Sequence, residues 1–144
     1  GLQNTKTFMP TAAKQAWIAA EAAAGVPEIE VCSFVPAKLI PQFADAEEVV
    51  RDALAIDGLE VAALVPNLKG AERAVAAGVG KLAFTLSVSR AHSLANVRRT
   101  PEQQLEELKR IVAWRATLTA ERRPSPADRV ACLAVRWQRV FRPD

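Results

Sequence analysis

The sequence predicts an α/β fold built on a parallel sheet, and three observations carry that expectation. Helical and strand-like patterns alternate along the chain up to about Trp114. The strand patterns are apolar almost without interruption, as in sheets covered on both faces. Successive strands are separated by enough chain for a right-handed helical crossover. With 144 residues, 50% of them hydrophobic and 24% charged, the composition is that of a soluble globular domain.

The elements follow in order. After Met9-Pro10, Thr11 is placed to cap an Ala-rich helix over residues 12–24, and Gly25 to end it. Pro27 leads into a strand at 28–35, where β-branched and aromatic residues run together. The next helix, 45–56, sets Val49, Val50, Ala53 and Leu54 against Glu47, Glu48, Arg51 and Asp52. Asp57-Gly58 turns into a strand at 59–65, Pro66-Asn67 forms a loop, and a short helix at 70–77 stops at Gly78. A third strand spans 81–88, and a long loop covers 89–99. Thr100-Pro101-Glu102-Gln103 reads as N-cap, first-turn proline and acidic first turn of a helix ending near Trp114, with Leu105, Leu108, Ile111 and Val112 at helical spacing.

Doubly wound sheets and TIM barrels both fit this order. No strand is followed by GxGxxG, and no GxxxxGK[ST] occurs, so the dinucleotide and P-loop phosphate cradles are absent. Cys32 and Cys132 lie far apart without CxxC spacing, which disfavours a zinc cage, a disulfide scaffold or a redox pair. The longest apolar stretches, 60–66 and 82–88, fall far short of the roughly 20 residues of a membrane span. The amino end carries no basic-then-apolar secretory pattern. The expectation is a cytoplasmic protein with no membrane partner.

The net charge of +3 raises the question of nucleic acid, and its distribution answers it. Residues 1–114 hold 12 Lys and Arg against 13 Asp and Glu, whereas residues 115–144 hold 7 Arg against 3 acids. The body is close to neutral, and the warrant for nucleic-acid binding disappears.

Both candidate architectures place their sites just beyond the carboxyl ends of strands. The polar residues there are Glu30 and Ser33, then Asn67 and Lys69, then Ser87, Ser89, His92 and Asn96, with Gln3 and Asn4 at the amino end. Glu30 stands out, because a carboxylate within an apolar strand needs a cation, a metal or a donor if it is buried, unless it faces water at an edge. His92 is the one imidazole, suited to acid–base work or to plain surface exposure. Asn67 to Gly70 suit a polar ligand and equally an ordinary turn. Arg98 and Arg99 are suited to an anionic group or to solvent.

The segments GLQN (1–4), IEVCSFVPAKLIPQFADAEEV (29–49) and PNLKGAERAVAAG (66–78) together resemble hydroxymethylglutaryl-CoA lyase, over residues 1 to about 114. That resemblance implies a metal-dependent TIM barrel that cleaves 3-hydroxy-3-methylglutaryl-CoA to acetyl-CoA and acetoacetate. Such chemistry takes a base for the tertiary hydroxyl proton, a divalent cation (Mg²⁺ or Mn²⁺) and stabilisation of the departing enolate. By the same resemblance Glu30 is the catalytic carboxylate, while Gln3, Ser33 and Asn67 contact an acyl-CoA substrate; Lys69 matches the family motif without a defined task. The family's RDGLQNE pattern begins two residues before Gly1, and its HxH pair, later Asn and glycine-rich Cys loop belong to the second half of the barrel. The metal ligands are thus expected to be missing from this chain. Thr5 in place of the Glu of GLQNE, FVPAK in place of FVSPK, and Arg90 where an acid is common point to a divergent branch.

The expected organisation is therefore a partial TIM (β/α)8 barrel over 1–117 and a basic Arg/Pro-rich tail over 118–144. The tail matches none of the remaining family motifs, as an altered reading frame would produce; its apolar residues between 129 and 141 imitate a strand. A full barrel takes about 250 residues. A shorter parallel sheet leaves edges open, inviting aggregation or a homo-oligomer. Two other readings fit less of the sequence: a non-catalytic interaction module, and a related acyl-CoA-dependent synthase, against which GLQN in place of GEQ argues.

Overall fold

The computed structural model describes residues 4–121 and 132–138. Its elements run α1 (Thr11–Ala23), β1 (Glu28–Ser33), a 3-10 turn (Pro41–Phe43), α2 (Ala46–Ala53), β2 (Glu60–Leu64), α3 (Leu68–Ala76), β3 (Lys81–Ser87), α4 (Arg90–Val97), α5 (Pro101–Glu121) and β4 (Cys132–Gln138). The strands form one sheet in the order β1-β2-β3-β4, every pair parallel. The α/β alternation expected from the sequence is the one the chain adopts. A strand also occupies 132–138, inside the segment read as tail.

Local chemistry explains most boundaries. At the end of α1, Gly25 takes φ +90°. Its N–H bonds to Ala22 O at 2.9 Å while Val26 N–H bonds to Glu21 O at 3.2 Å, the paired reverse bonds of a Schellman stop. At the start of α5, Thr100 N–H donates to Gln103 Oε1 and Gln103 N–H to Thr100 Oγ1, the reciprocal capping box expected there.

The start of α1 differs from expectation. Thr11 is the first helical residue and makes no cap; its hydroxyl donates to Asp45 Oδ2 at 2.8 Å instead. Asp45 also receives Lys14 Nζ at 2.7 and 2.8 Å on its two oxygens, and the same ammonium donates to Gln42 O at 2.7 Å. Lys14, 8% exposed, is thus fully paired although it lies within the Ala-rich helix.

The loop expected over 89–99 is largely helix. Ser89 caps α4 by accepting from His92 N–H, and Arg98 ends it in the left-handed region at φ 55°. Between them Ala, Leu and Asn offer no β-branched run to oppose a helix until Val97. In α5 the helix continues to Glu121, past Trp114, and its inner face is rotated from the expected stripe. Ile111 is buried, but Leu105 and Val112 are exposed while Gln104 and Glu107 are buried. Glu107 accepts Leu68 N–H at 2.8 Å and pairs with Arg99 and Arg110, and Gln104 donates to Ser93 Oγ. These polar bonds offset the burial of two hydrophilic side chains and select the face. In α2, Val49, Val50 and Ala53 are buried as expected; Leu54, the C-cap, is exposed.

The core lies between the sheet and α2, α3 and α5, with Phe34, Val50, Val65, Leu82, Phe84 and Ile111 at its centre. A smaller cluster of Ile18, Val49, Ala53 and Val61 joins α1 to it. Closeness of packing shows at Gly70, where an added Cβ would stand 2.8 Å from Pro66 Cδ and 3.1 Å from Phe34 O. Replacing Gly70 by Ala pushes α3 off the ends of β1 and β2, and urea unfolding is expected to show a loss of about 1–3 kcal/mol despite the better helix propensity of Ala.

Burial raises the pKa of Asp45, but the hydrogen bonds from Lys14 and Thr11 and the Lys14 charge outweigh it and hold the carboxyl below its usual range. With the folded value below the unfolded one, the stabilisation is complete above the ordinary carboxylate range and is lost as pH falls through the folded value. Asp45→Asn should therefore cost about 2 kcal/mol near neutral pH. In paired urea titrations the gap between wild type and variant closes in acid; a gap independent of pH would contradict the assignment.

Candidate active site

Of the residues that the sequence points to, Glu30, Ser33, Asn67, His92 and Asn96 border one open cleft of about 1330 Å³, whereas Lys69, Ser87 and Ser89 do not line it. Its walls come from α1 (Trp17), β1, the chain at 35–43, Asn67 at the start of α3, Thr85 on β3 and His92 on α4. How β1 reaches this cleft is a matter of register. Side chains on a regular strand alternate, so residues three apart, such as Glu30 and Ser33, point to opposite faces. Here Glu30 pairs with Ala62 and Cys32 with Ala63, which leaves Val31 as an extra residue. Val31 and Cys32 both join the helix-side core, and Cys32 Sγ approaches Ala46 O at 3.8 Å. Ser33 thereby returns to the face that carries Glu30.

Glu30 is exposed on the edge strand of the described sheet, so its charge carries no burial cost. Ser33 is buried, and its Oγ has no hydrogen-bond partner. A buried hydroxyl without a partner costs about 1–3 kcal/mol, so this group is poised to gain from a ligand atom that bonds it. Asn67 is the N-cap of α3, its Oδ1 accepting Gly70 N–H at 2.9 Å. Its side-chain amide NH₂ is the part left to face a ligand. Lys69 is exposed on α3, and Gln3 lies outside the described residues.

Cys32 is not poised as a nucleophile. Burial, and then the charges of Glu47, Asp45 and Glu30, push its thiol up to about 12, leaving the thiolate scarce at neutral pH. On the opposite wall Ser87 Oγ lies 3.0 Å from His92 Nδ1. Ser87 and His92 are both visible in the sequence as polar residues after a strand, but the contact between them depends on α4 starting at Arg90, which a loop reading of 89–99 conceals. Lys14, Gln104 and Glu107 were likewise hidden. Their signal was a polar residue on the side of a helix that its apolar neighbours bury. Of the two arginines, Arg99 is engaged by Glu107 at 3.5 Å, and Arg98 supplies the left-handed C-cap of α4.

Among the described residues no three His, Cys, Asp or Glu come together as a divalent cation would require. The donors that these residues place in this region do not fit the cation that the family resemblance implies. No helix among them is long and apolar enough to cross a membrane.

The HMGL-like family model matches residues 1–135. Among curated proteins, the chain is 41% identical over 105 residues to the mitochondrial hydroxymethylglutaryl-CoA lyase of Arabidopsis thaliana, covering 73% of this chain and 22% of the relative. It is 35% identical over 121 residues to the hydroxymethylglutaryl-CoA lyase of Bacillus subtilis, covering 83% and 40%. Among solved structures, the HMG-CoA lyase of Brucella melitensis superposes with a TM-score of 0.77 at 36% identity, covering 95% of this chain and 44% of that one. The A. baumannii HMG-CoA lyase, solved in complex with coenzyme A and 3-methylmalate, gives 0.74 at 37%, covering 84% and 39%. The chain thus spans less than half the length of these relatives, and its parallel sheet is part of the TIM-barrel architecture of the lyases. From Gly1 through the first three strands and into the fourth, it belongs to the HMGL-like family.

Proposed function

We propose that this chain carries the acyl-CoA-facing part of a hydroxymethylglutaryl-CoA lyase site, with Glu30 as the catalytic carboxylate and Ser33, Asn67 and Gln3 against the substrate. The observation that carries the reading is the unpartnered, buried Ser33 Oγ, brought by the bulge to the same face as Glu30. Family membership, and lyase relatives under both mitochondrial and cytoplasmic names, support it. We place this chain with the cytoplasmic kind.

In the reaction, the C3 hydroxyl of 3-hydroxy-3-methylglutaryl-CoA loses its proton and becomes the ketone of acetoacetate. The electrons of the breaking carbon–carbon bond pass to the acetyl-CoA enolate, which then takes up a proton. Glu30 is exposed and placed to meet the hydroxyl. Ser33 offers either a donor or an acceptor, and the Asn67 NH₂ a donor, for the thioester end. The described residues assemble no cation site. Binding is expected of this chain, and turnover is not: an acetoacetate assay with Mg²⁺ should stay at background, and turnover abolished by Glu30→Ala would overturn that.

Variants at two positions test the site through binding. Calorimetric titration with 3-hydroxy-3-methylglutaryl-CoA should weaken about tenfold in Ser33→Ala, equivalent to about 1.4 kcal/mol. Asn67→Asp keeps an oxygen to cap α3 but lacks the NH₂, whereas Asn67→Ala also loses the cap, at a cost of about 1 kcal/mol in urea. Lower affinity with unchanged stability in Asn67→Asp is the expected outcome. Unchanged affinity would reduce Asn67 to a helix cap.

A further inference from the structure

The second wall of the cleft holds a pair to which the lyase reading assigns no task. Ser87 ends β3 and is 1% exposed, and its Oγ lies 3.0 Å from Nδ1 of His92 on α4. His92 is half-buried, and it borders the same cleft as Glu30, Ser33, Asn67 and Thr85. Its backbone is also held, through the Ser89 cap. The ring is therefore fixed at two points, one on its backbone and one on its inner nitrogen.

The direction of the Ser87 bond follows from satisfying the buried hydroxyl. Were Nδ1 the donor, the Ser87 O–H would be a buried donor pointing at no acceptor, an arrangement that proteins avoid. With Ser87 as the donor, Nδ1 carries the lone pair and the neutral ring holds its proton on Nε2. That nitrogen lies across the ring from the buried serine.

We propose that His92, its tautomer fixed by Ser87, presents Nε2–H to the cleft as the donor for a carbonyl or carboxylate oxygen of the acyl-CoA ligand. This assignment rests on the acyl-CoA reading of the cleft. Ser87 acts as a positioning residue, and His92 touches the ligand. Glu30 and Ser33 on β1 and His92 on α4 then address one molecule from two walls. The oxygen belongs either to the thioester or to the free carboxylate of a hydroxyacid, and the two sources can be offered separately.

Because His92 is the sole histidine in the chain, a long-range ¹H–¹⁵N correlation spectrum of the labelled protein shows one imidazole. With the ring neutral, the expected pattern is Nε2–H alone, with Nδ1 shifted by an accepted hydrogen bond. Ser87→Ala should relax it to the mixture of a solvated ring, and Ser87→Thr, which keeps the hydroxyl, should restore it. Acetyl-CoA supplies the thioester oxygen and free 3-hydroxy-3-methylglutarate the carboxylate; the one that meets His92 should move Nε2, and His92→Phe should weaken its binding roughly five- to tenfold. A protonated Nδ1 in the wild type, or saturation by both ligands with Nε2 unmoved, overturns the proposal. If neither ligand binds, the acyl-CoA reading fails and the ligand half of the proposal with it, while the spectrum of the free chain still decides the tautomer.

Discussion

One extra residue in an edge strand sets the geometry on which the cleft depends. Without Val31 as a bulge, Glu30 and Ser33 would stand on opposite faces of β1, one toward the helices and one toward the cleft. The bulge lets β1 serve two layers at once. Val31 and Cys32 feed the core beneath α2, and Glu30 and Ser33 both remain outside it. The pairing resumes at Ser33 opposite Leu64, and Phe34 N–H still finds Leu64 O at 2.8 Å. The irregularity is therefore local, and its backbone cost is confined to one ladder step.

The helices that frame the cleft are held as much by polar bonds as by apolar area. Lys14 and Asp45 join α1 to the entrance of α2. Glu107 of α5 closes the amino end of α3 at Leu68, beside the Asn67 cap. Gln104 reaches Ser93 on α4. Each is a specific tie between two elements, and a buried polar group of this kind tolerates few alternative packings, because any shift leaves it unpaired. The small side chains of the core, Ala63, Ala71 and Ala74 among them, leave little room for sliding either.

The same division decides what was legible in the sequence. Patterns that repeat locally gave the strands, the Gly25 stop and the Thr100 box, since each rests on neighbours within a few residues. Their place in or just beyond an apolar strand singled out Glu30 and Ser33, and the family resemblance then supplied their expected roles. What was hidden depends on partners brought in by the fold. Thr11 looks like a cap until Asp45, 34 positions on, takes its hydroxyl. Gln104 and Glu107 look like solvent-facing residues of α5 until Ser93 and Leu68 N–H are placed beside them. The segment 89–99 lacks an apolar stripe, so its helix rests on the Ser89 cap and the Arg98 stop. Alternation also misleads at β1, where a period of two assigns Glu30 and Ser33 to different faces.

The openness of the cleft separates what these residues can bind from what they can catalyse. A donor such as His92 Nε2 competes with water for a ligand oxygen, and at 4 Å two unit charges interact by only about 1 kcal/mol in bulk water against about 4 kcal/mol at an effective dielectric of 20. Enolate formation depends on that difference, since negative charge develops on the thioester oxygen as the carbon–carbon bond breaks. Glu30 is exposed and its cleft is open, so in the proposed reaction both the developing charge and the carboxylate would remain hydrated. Recognition needs only that a few groups be correctly aimed, which the β1 bulge and the Ser87–His92 bond accomplish within the described residues. Catalysis further needs those groups sealed from water, and the cleft as bordered by the described residues is open.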